Sequence, residues 1–330
     1  MVRYLLARAR QILCVAGLVM TGAQAQTPAT QNWPTRPIKM LIPLAAGSAN
    51  DTIARIVAEK MSETLGQPIV IENQPGASGL VGMRAGARAE PDGYTILAVN
   101  DSIMTMLPNL KSEAGYDPVA DFAPVTQMAT VNFGFVAHTG FAASTISELI
   151  ELARKTPGVI DYASGGPGSP QHIGMELFQW KAGVKLNHTP YRGVTQAFND
   201  VLAGHVPVMI VGFPAPIQFV ASGKLKLLAV TSAQRSKLFP ATPTVMEANV
   251  LDFDFSTWGG IIAPARTPST ILARLNQAAI AALRDPVVAK RVTDLGFDII
   301  ANQPAEFTAS IKSGLQRYGE LSRAANIKID

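Results

Sequence analysis

The chain has 330 residues, 48% hydrophobic and 16% charged, which supplies apolar material for about two domain cores and argues against disorder. Of its formal net charge of +4, three charges are Arg3, Arg8 and Arg10, so no basic surface is left that would suggest nucleic acid. The one cysteine, Cys14, sits in the same leading stretch, which excludes a disulfide scaffold, a thiol nucleophile and a Cys-based metal site from the rest.

In chain order, the first element is a basic start, a short apolar run at Ile12–Met20 and the A-x-A site Ala23-Gln24-Ala25. Residues 1–25 read as a secretory signal peptide cleaved before Gln26. Its apolar run is too short to span a bilayer, and bulky Leu13 before Cys14 argues against a lipid anchor. The expected product is a soluble exported protein with a loose lead-in over 26–33.

Pro37–Asp51 then reads as strand, tight loop and helix: an apolar run to Pro43, small residues from Ala45 to Ala49, and apolar residues at helical spacing from Ile53. A helix start exposes unpaired amides and the positive end of its dipole, so this loop can hold an anion. It can equally be an ordinary turn capped by Asn50 or Asp51. Strand and helix patterns go on alternating to the C-terminus. Strands are predicted at 69–72, 94–99, 125–128, 133–137, 160–163, 186–189, 206–211, 225–231, 258–263 and 297–300. Helices are predicted at 80–89, 146–155, 171–182, 195–202, 214–221, 268–283, 286–295 and 304–325. Such alternation predicts an α/β protein with mostly parallel sheets, and the strands are too many for one sheet, so two lobes are expected.

Polar, Gly-rich loops recur at the C-terminal ends of the strands, at 45–51, 73–79, 100–102, 164–171 and 191–193. Open α/β sheets bind ligands at that end, so these loops can converge on one cleft. Signals for an enzyme are weak. Ser78 lacks the nucleophile-elbow pattern, and Ser164 or Ser169 near His172 does not by itself make a Ser–His pair. His138, His172, His188 and His205 show no metal-ligand spacing, and no dinucleotide or P-loop fingerprint is present, so no cofactor is expected.

The chain resembles the Bug family, the periplasmic receptors of tripartite tricarboxylate transporters. The resemblance rests on Trp33–Ile38, on Pro43–Asp51 (commonly P-F-x-x-G-G-x-x-D in the family), on the run Leu65–Gly79, and on Pro91–Thr95. Asp121–Val125, Tyr162–Ser164, Gln171-His172, Pro190–Gly193, Gly223–Leu225 and Leu228–Ser232 continue it. It implies a two-lobed, clamshell-like type II periplasmic binding protein with two chain crossings at the hinge. Domain 1 would comprise 34–136 with 260–330, and domain 2 would comprise 137–259.

The receptor would be a monomer, not an enzyme, that passes a small organic carboxylate to a membrane permease of two subunits. A sensor subunit and an exported α/β hydrolase are the alternatives. Carried over by position, the ligand residues are Leu44, Ala45, Ala46, Gly47, Ser48, Ala49, Asn50 and Asp51 at one end. Asn100, Asp101 and Ser102 would line the domain 1 wall. Ser164, Gly165, Gly168, Ser169 and His172 would line the domain 2 wall, with Tyr191 and Arg192 at the rim. Where many relatives carry an acidic or amide pair, this chain has Phe213. Without an acid to pair with an ammonium, a dicarboxylate or aromatic carboxylate is favoured, with Phe213 as an apolar surface for it.

Overall fold

The computed structural model describes residues 32–111 and 113–324; the predicted signal peptide lies outside them. The chain opens with three parallel strands, β1 (Ile38–Ile42), β2 (Ile69–Asn73) and β3 (Thr95–Asn100), with β1 in the middle. Ile38, Met40, Leu41 and Ile42 are all buried in β1, as a strand covered on both faces requires. Helix α1 (Ala49–Leu65) follows β1, and α2 (Leu80–Ala87) follows β2. After β3 the chain winds through a wide π turn at Ser102–Met106 into α3 (Leu107–Leu110), a stretch whose Met and Pro content gave no clear period. Strand β4 (Phe122–Val131) comes next.

The chain then enters a second sheet. Its strands are β5 (Phe133–His138), β6 (Asp161–Ser164), β7 (Asn187–Pro190), β8 (Val208–Gly212) and β9 (Leu225–Val230), in the order β7-β6-β8-β5-β9. Helices α4 (Ile146–Lys155), α5 (Pro170–Ala182), α6 (Val194–Ala203) and α7 (Ile217–Ala221) connect them. The chain finally returns to the first sheet as β10 (Thr257–Pro264) and β11 (Phe297–Ile299), with α8 (Ser269–Arg284), α9 (Pro286–Asp294) and α10 (Pro304–Ala324) around them. The first sheet thus has the order β11-β4-β10-β3-β1-β2. Leu41, Met83, Leu97, Phe122, Ile262 and Phe307 pack in its core, and Val136, Ala163, Phe198, Met209 and Val211 in the core of the second.

Both sheets are mixed, which corrects the expectation of mostly parallel ones. β10 runs antiparallel to β3 and β4, β11 to β4, and β5 to β8 and β9. The reason is the connection. Parallel neighbours need a helical crossover. β4 passes into β5 through Asn132 alone, and β10 returns through the largely irregular stretch 231–256.

These are also the two crossings between the lobes. Asn132 donates from its side chain to Asp298 Oδ2 (2.7 Å) and to the Gly296 carbonyl (3.3 Å), and its own carbonyl accepts from Phe213 N. At the second crossing, Phe255 N bonds to the Thr231 carbonyl, while Thr257 two residues on pairs with Val131.

Candidate ligand-binding cleft

The loops after β1, β2 and β3 meet the loops after β6, β7 and β8 across a narrow cleft. Its interior leaves about 70 Å³ for the centres of water-sized molecules. Ser48 caps α1, its Oγ accepting from Asp51 N at 3.3 Å, and Ser169 caps α5 in the same way through His172 N at 3.4 Å. Ser48, Ala49 and Asn50 at the start of α1 line the cleft. So do Ser169, Pro170 and Gln171 at the start of α5, and Gly193 and Val194 at the start of α6. Three helix starts therefore present their positive dipole ends to one space. Among the described lining residues Arg192, exposed at the rim, is the one ionisable group.

Gly47 has φ +77°, the left-handed conformation that lets the loop turn into α1. A Cβ there would lie 3.4 Å from Thr195 Oγ1 on the opposite wall. The loop after β2 is more contorted. Gly76, Ala77, Ser78 and Gly79 all have positive φ, two of them without the freedom of glycine. That backbone directs the Ser78 hydroxyl across the cleft to the Pro167 carbonyl at 2.6 Å. Two more hydroxyls cross: Ser102 Oγ donates to the Gly168 carbonyl at 2.7 Å, and Thr195 Oγ1 to the Ala46 carbonyl at 2.8 Å.

Of the residues named from sequence, Leu44, Ala45, Gly47, Ser48, Ala49, Asn50, Asn100, Gly165, Ser169 and Arg192 line this space together. The others stand elsewhere, each for a visible reason. Ala46 and Gly168 contribute their carbonyls, and Ser102 its hydroxyl, to the bonds that span the cleft.

Asp51 faces inward. Its carboxylate accepts from Gly47 N (2.9 Å), Arg55 Nε (3.0 Å) and Asn73 Nδ2 (2.8 Å). Burial raises its pKa, but those partners outweigh burial and hold it below the ordinary value. Asp101 lies behind the wall, bonded by Thr105 and by Tyr318 (3.3 Å). Burial pushes its pKa up to about 6, against the pull of those bonds and of Arg317.

Tyr191 turns its hydroxyl to Asp200 at 2.6 Å. Phe213, expected as a surface for ligand, is fully buried against Phe239 at 5.3 Å between ring centroids. Gly296 leaves room for it, since a Cβ there would meet Phe213 at 2.8 Å.

Ser164 and His172 belong to a buried stack rather than to a nucleophile. Ser164 Oγ lies 2.6 Å from His188 Nε2 and accepts from Gly166 N at 3.1 Å, and Ser164 is fully buried. His188 is sandwiched between Tyr162 (4.9 Å) and His172 (4.3 Å). His172 Nδ1 accepts from Gly168 N at 3.1 Å, so the imidazole shapes the loop from behind. Burial lowers the pKa of each imidazole to about 4.

The sequence reading missed Ser78, Val131, Phe133, Val211 and Thr257, which also line the cleft. Ser78 lies in a loop already marked as polar and Gly-rich. Val131, Phe133 and Thr257 end or begin strands at the crossings and Val211 lies near the end of β8, and nothing local distinguishes them from core residues.

No group of three His, Cys, Asp or Glu side chains among the described residues could hold a metal. Among those residues no helix is long and apolar enough to cross a membrane.

The family model of the tripartite tricarboxylate transporter family receptor matches residues 53–327. The chain belongs to that family. The solved periplasmic binding protein BugD is 34% identical with a TM-score of 0.86, over 90% of this chain and 99% of its own. Two Rhodopseudomonas palustris structures are also similar. Rpa4515 with adipate is 29% identical with a TM-score of 0.87, over 90% of this chain and 99% of its own. MatC with bound malate is 28% identical with a TM-score of 0.84, over 87% of this chain and 99% of its own. The receptor thus shares the two-lobed α/β architecture of periplasmic binding proteins.

Proposed function

We propose that the receptor captures a small organic carboxylate between its lobes and delivers it to a two-subunit membrane permease. One observation carries the ligand class: three helix starts and Arg192 face a space with no carboxylate among the described residues of its walls. Ala49 and Asn50, in the first turn of α1, carry amides that an intrahelical ladder leaves unpaired, and so does Gln171 in α5. An anion between them gains charge-assisted hydrogen bonds from both lobes, which only the closed arrangement can supply together. An ammonium would meet dipoles of the wrong sign. The malate and adipate held by the two relatives are both dicarboxylates, which supports the same class here.

The test is a thermal-shift panel on the chain from Gln26 on, with dicarboxylates, tricarboxylates, aromatic acids and acidic amino acids. A ligand of the folded state adds about 2.7 kcal/mol at a hundredfold excess over its Kd, a shift of a few degrees. Gly47→Val should abolish that shift, because a β-branched residue cannot hold the φ of +77° that turns the loop into α1 beside Thr195, while the unliganded protein still melts cooperatively. An unchanged shift in that variant would remove the loop from the site. No shift with any carboxylate would overturn the anion reading.

A further inference from the structure

Resting on that anion reading, we infer that the ligand carries a hydroxyl on the carbon beside one carboxylate, and that Gln171 is the residue that reads it. Gln171, the second residue of α5, lines the cleft and is only 6% exposed. Among the described residues, neither end of its side-chain amide has a hydrogen-bond partner. Its neighbours are engaged: Ser169 Oγ accepts from His172 N, and Ser164 Oγ pairs with His188 Nε2. A buried amide left in this way costs free energy once closure strips water from it, unless something bound in the cleft pairs with it.

The side-chain oxygen faces a notch that is open because residue 165 is glycine. A Cβ on Gly165 would lie 3.3 Å from Gln171 Oε1 and 3.1 Å from Val194 N. Without that atom, an acceptor stands on one side of the gap and a backbone amide on the other. Val194 is the first residue of α6, so the helical ladder gives its N–H no partner. No side chain caps α6 either, since Gly193 stands where α1 and α5 have serine. Two unpaired groups of opposite sense thus bound one small space. A hydroxyl satisfies both, donating to Oε1 and accepting from the Val194 N–H. A carboxylate oxygen has no proton for Oε1, an ammonium has no lone pair for the amide, and a methylene has neither. The carboxylate that belongs beside this hydroxyl sits on the start of α5, where the Gln171 backbone N–H and the Ser169 hydroxyl proton can both donate to it. Main chain and side chain of one residue then hold neighbouring groups of the ligand, which puts the hydroxyl on the adjacent carbon.

Titration calorimetry on the chain from Gln26 on compares matched acids: succinate with malate, glutarate with 2-hydroxyglutarate, adipate with 2-hydroxyadipate, and phenylacetate with mandelate. In the pair that binds best, the hydroxy acid should be tighter than its bare parent by about tenfold. The corresponding amino acid (aspartate, glutamate, 2-aminoadipate or phenylglycine) should bind more weakly than the hydroxy acid. Gln171→Met keeps the length of the side chain and removes its amide, and should lower the hydroxy-to-bare ratio to about twofold or less. Gly165→Ala should do the same by filling the notch while leaving the amide in place, at a glycine whose φ is not positive. That second variant carries the test if Gln171→Met fails to fold. A bare acid binding as tightly as its hydroxy partner would overturn the inference and leave the anion reading standing. So would an amino acid that matches the hydroxy acid, or a hydroxyl preference that survives in either folded variant. Failure of every acid to bind the folded chain would remove both.

Discussion

His172 and His188 stack at 4.3 Å, and the loop they support carries both a wall of the cleft and the carbonyl that Ser102 reaches. Burial lowers both imidazole pKa values to about 4, with the His172 charge adding to the effect on His188. Below the ordinary value of 6.5 the unfolded chain takes up protons that the folded chain refuses. Their stabilisation is therefore complete above pH 6.5 and is lost as pH falls towards about 4. Asp101 works the other way. Its pKa, raised to about 6, lets the folded chain hold a proton that the unfolded chain has released, so its contribution fades as pH rises from 3.8 through 6. Two histidines outweigh one aspartate, and the melting temperature should fall on acidification from pH 6.5 to 4.5. His172→Asn keeps an acceptor for Gly168 N and removes one titration, worth on the order of 2 kcal/mol at the acid end of that window. Its stability profile should be nearly flat there. A profile parallel to wild type would show that His172 titrates normally in the folded protein.

The elements that meet at the cleft are held by hydroxyl protons from both lobes. Ser78 and Ser102 reach out from the first lobe, Thr195 from the second, and each finds a backbone carbonyl opposite. A neutral hydrogen bond contributes about 1 kcal/mol net, or roughly a fivefold change in the population of the closed form. Ser102→Ala should accordingly raise the ligand's dissociation rate about fivefold and leave the association rate within a factor of two. Stopped-flow displacement reads both rates, and an unchanged dissociation rate would show that this bond does not hold the closed form.

At this scale the sequence was informative about loops and poor on side chains. Glycine and serine clusters at strand ends marked where the cleft would open, because backbone chemistry is local. The directions of Asp51, Tyr191 and Phe213 were not legible. Arg55 and Asn73 claim the first, Asp200 the second, and the gap beside Gly296 admits the third. Asp51 and Arg55 lie one helical turn apart and Tyr191 and Asp200 nine residues apart, but nothing about either pair states that the partner will win over the cleft. Gly296 is 83 positions from Phe213, beyond the reach of any local pattern.

In the molecule as a whole, two narrow crossings join the sheets, and Asn132 fastens the shorter one to the Gly296–Asp298 corner. Asn132→Ala frees that crossing. Without carboxylate, small-angle scattering should then give a larger radius of gyration than wild type, and a saturating ligand should remove most of the difference. Identical scattering profiles would mean that the fastening plays no part in closure. The alternation of strand and helix made the two-lobed architecture readable from the sequence. It did not disclose strand direction, which depends on whether a connection contains a helix, and Asn132 is one residue where a crossover would need many.

The three spanning bonds end on the carbonyls of Ala46, Pro167 and Gly168. A carbonyl survives any side-chain replacement at its own position. Apart from Ser78, the side chains that line the cleft take no part in those bonds, so most of them can be exchanged without removing a spanning bond. Within one scaffold, taste and grasp are written in different positions, so a library confined to Leu44, Ala45, Val131, Val194, Val211 and Ala215 could evolve towards new cargoes while inheriting closure unchanged.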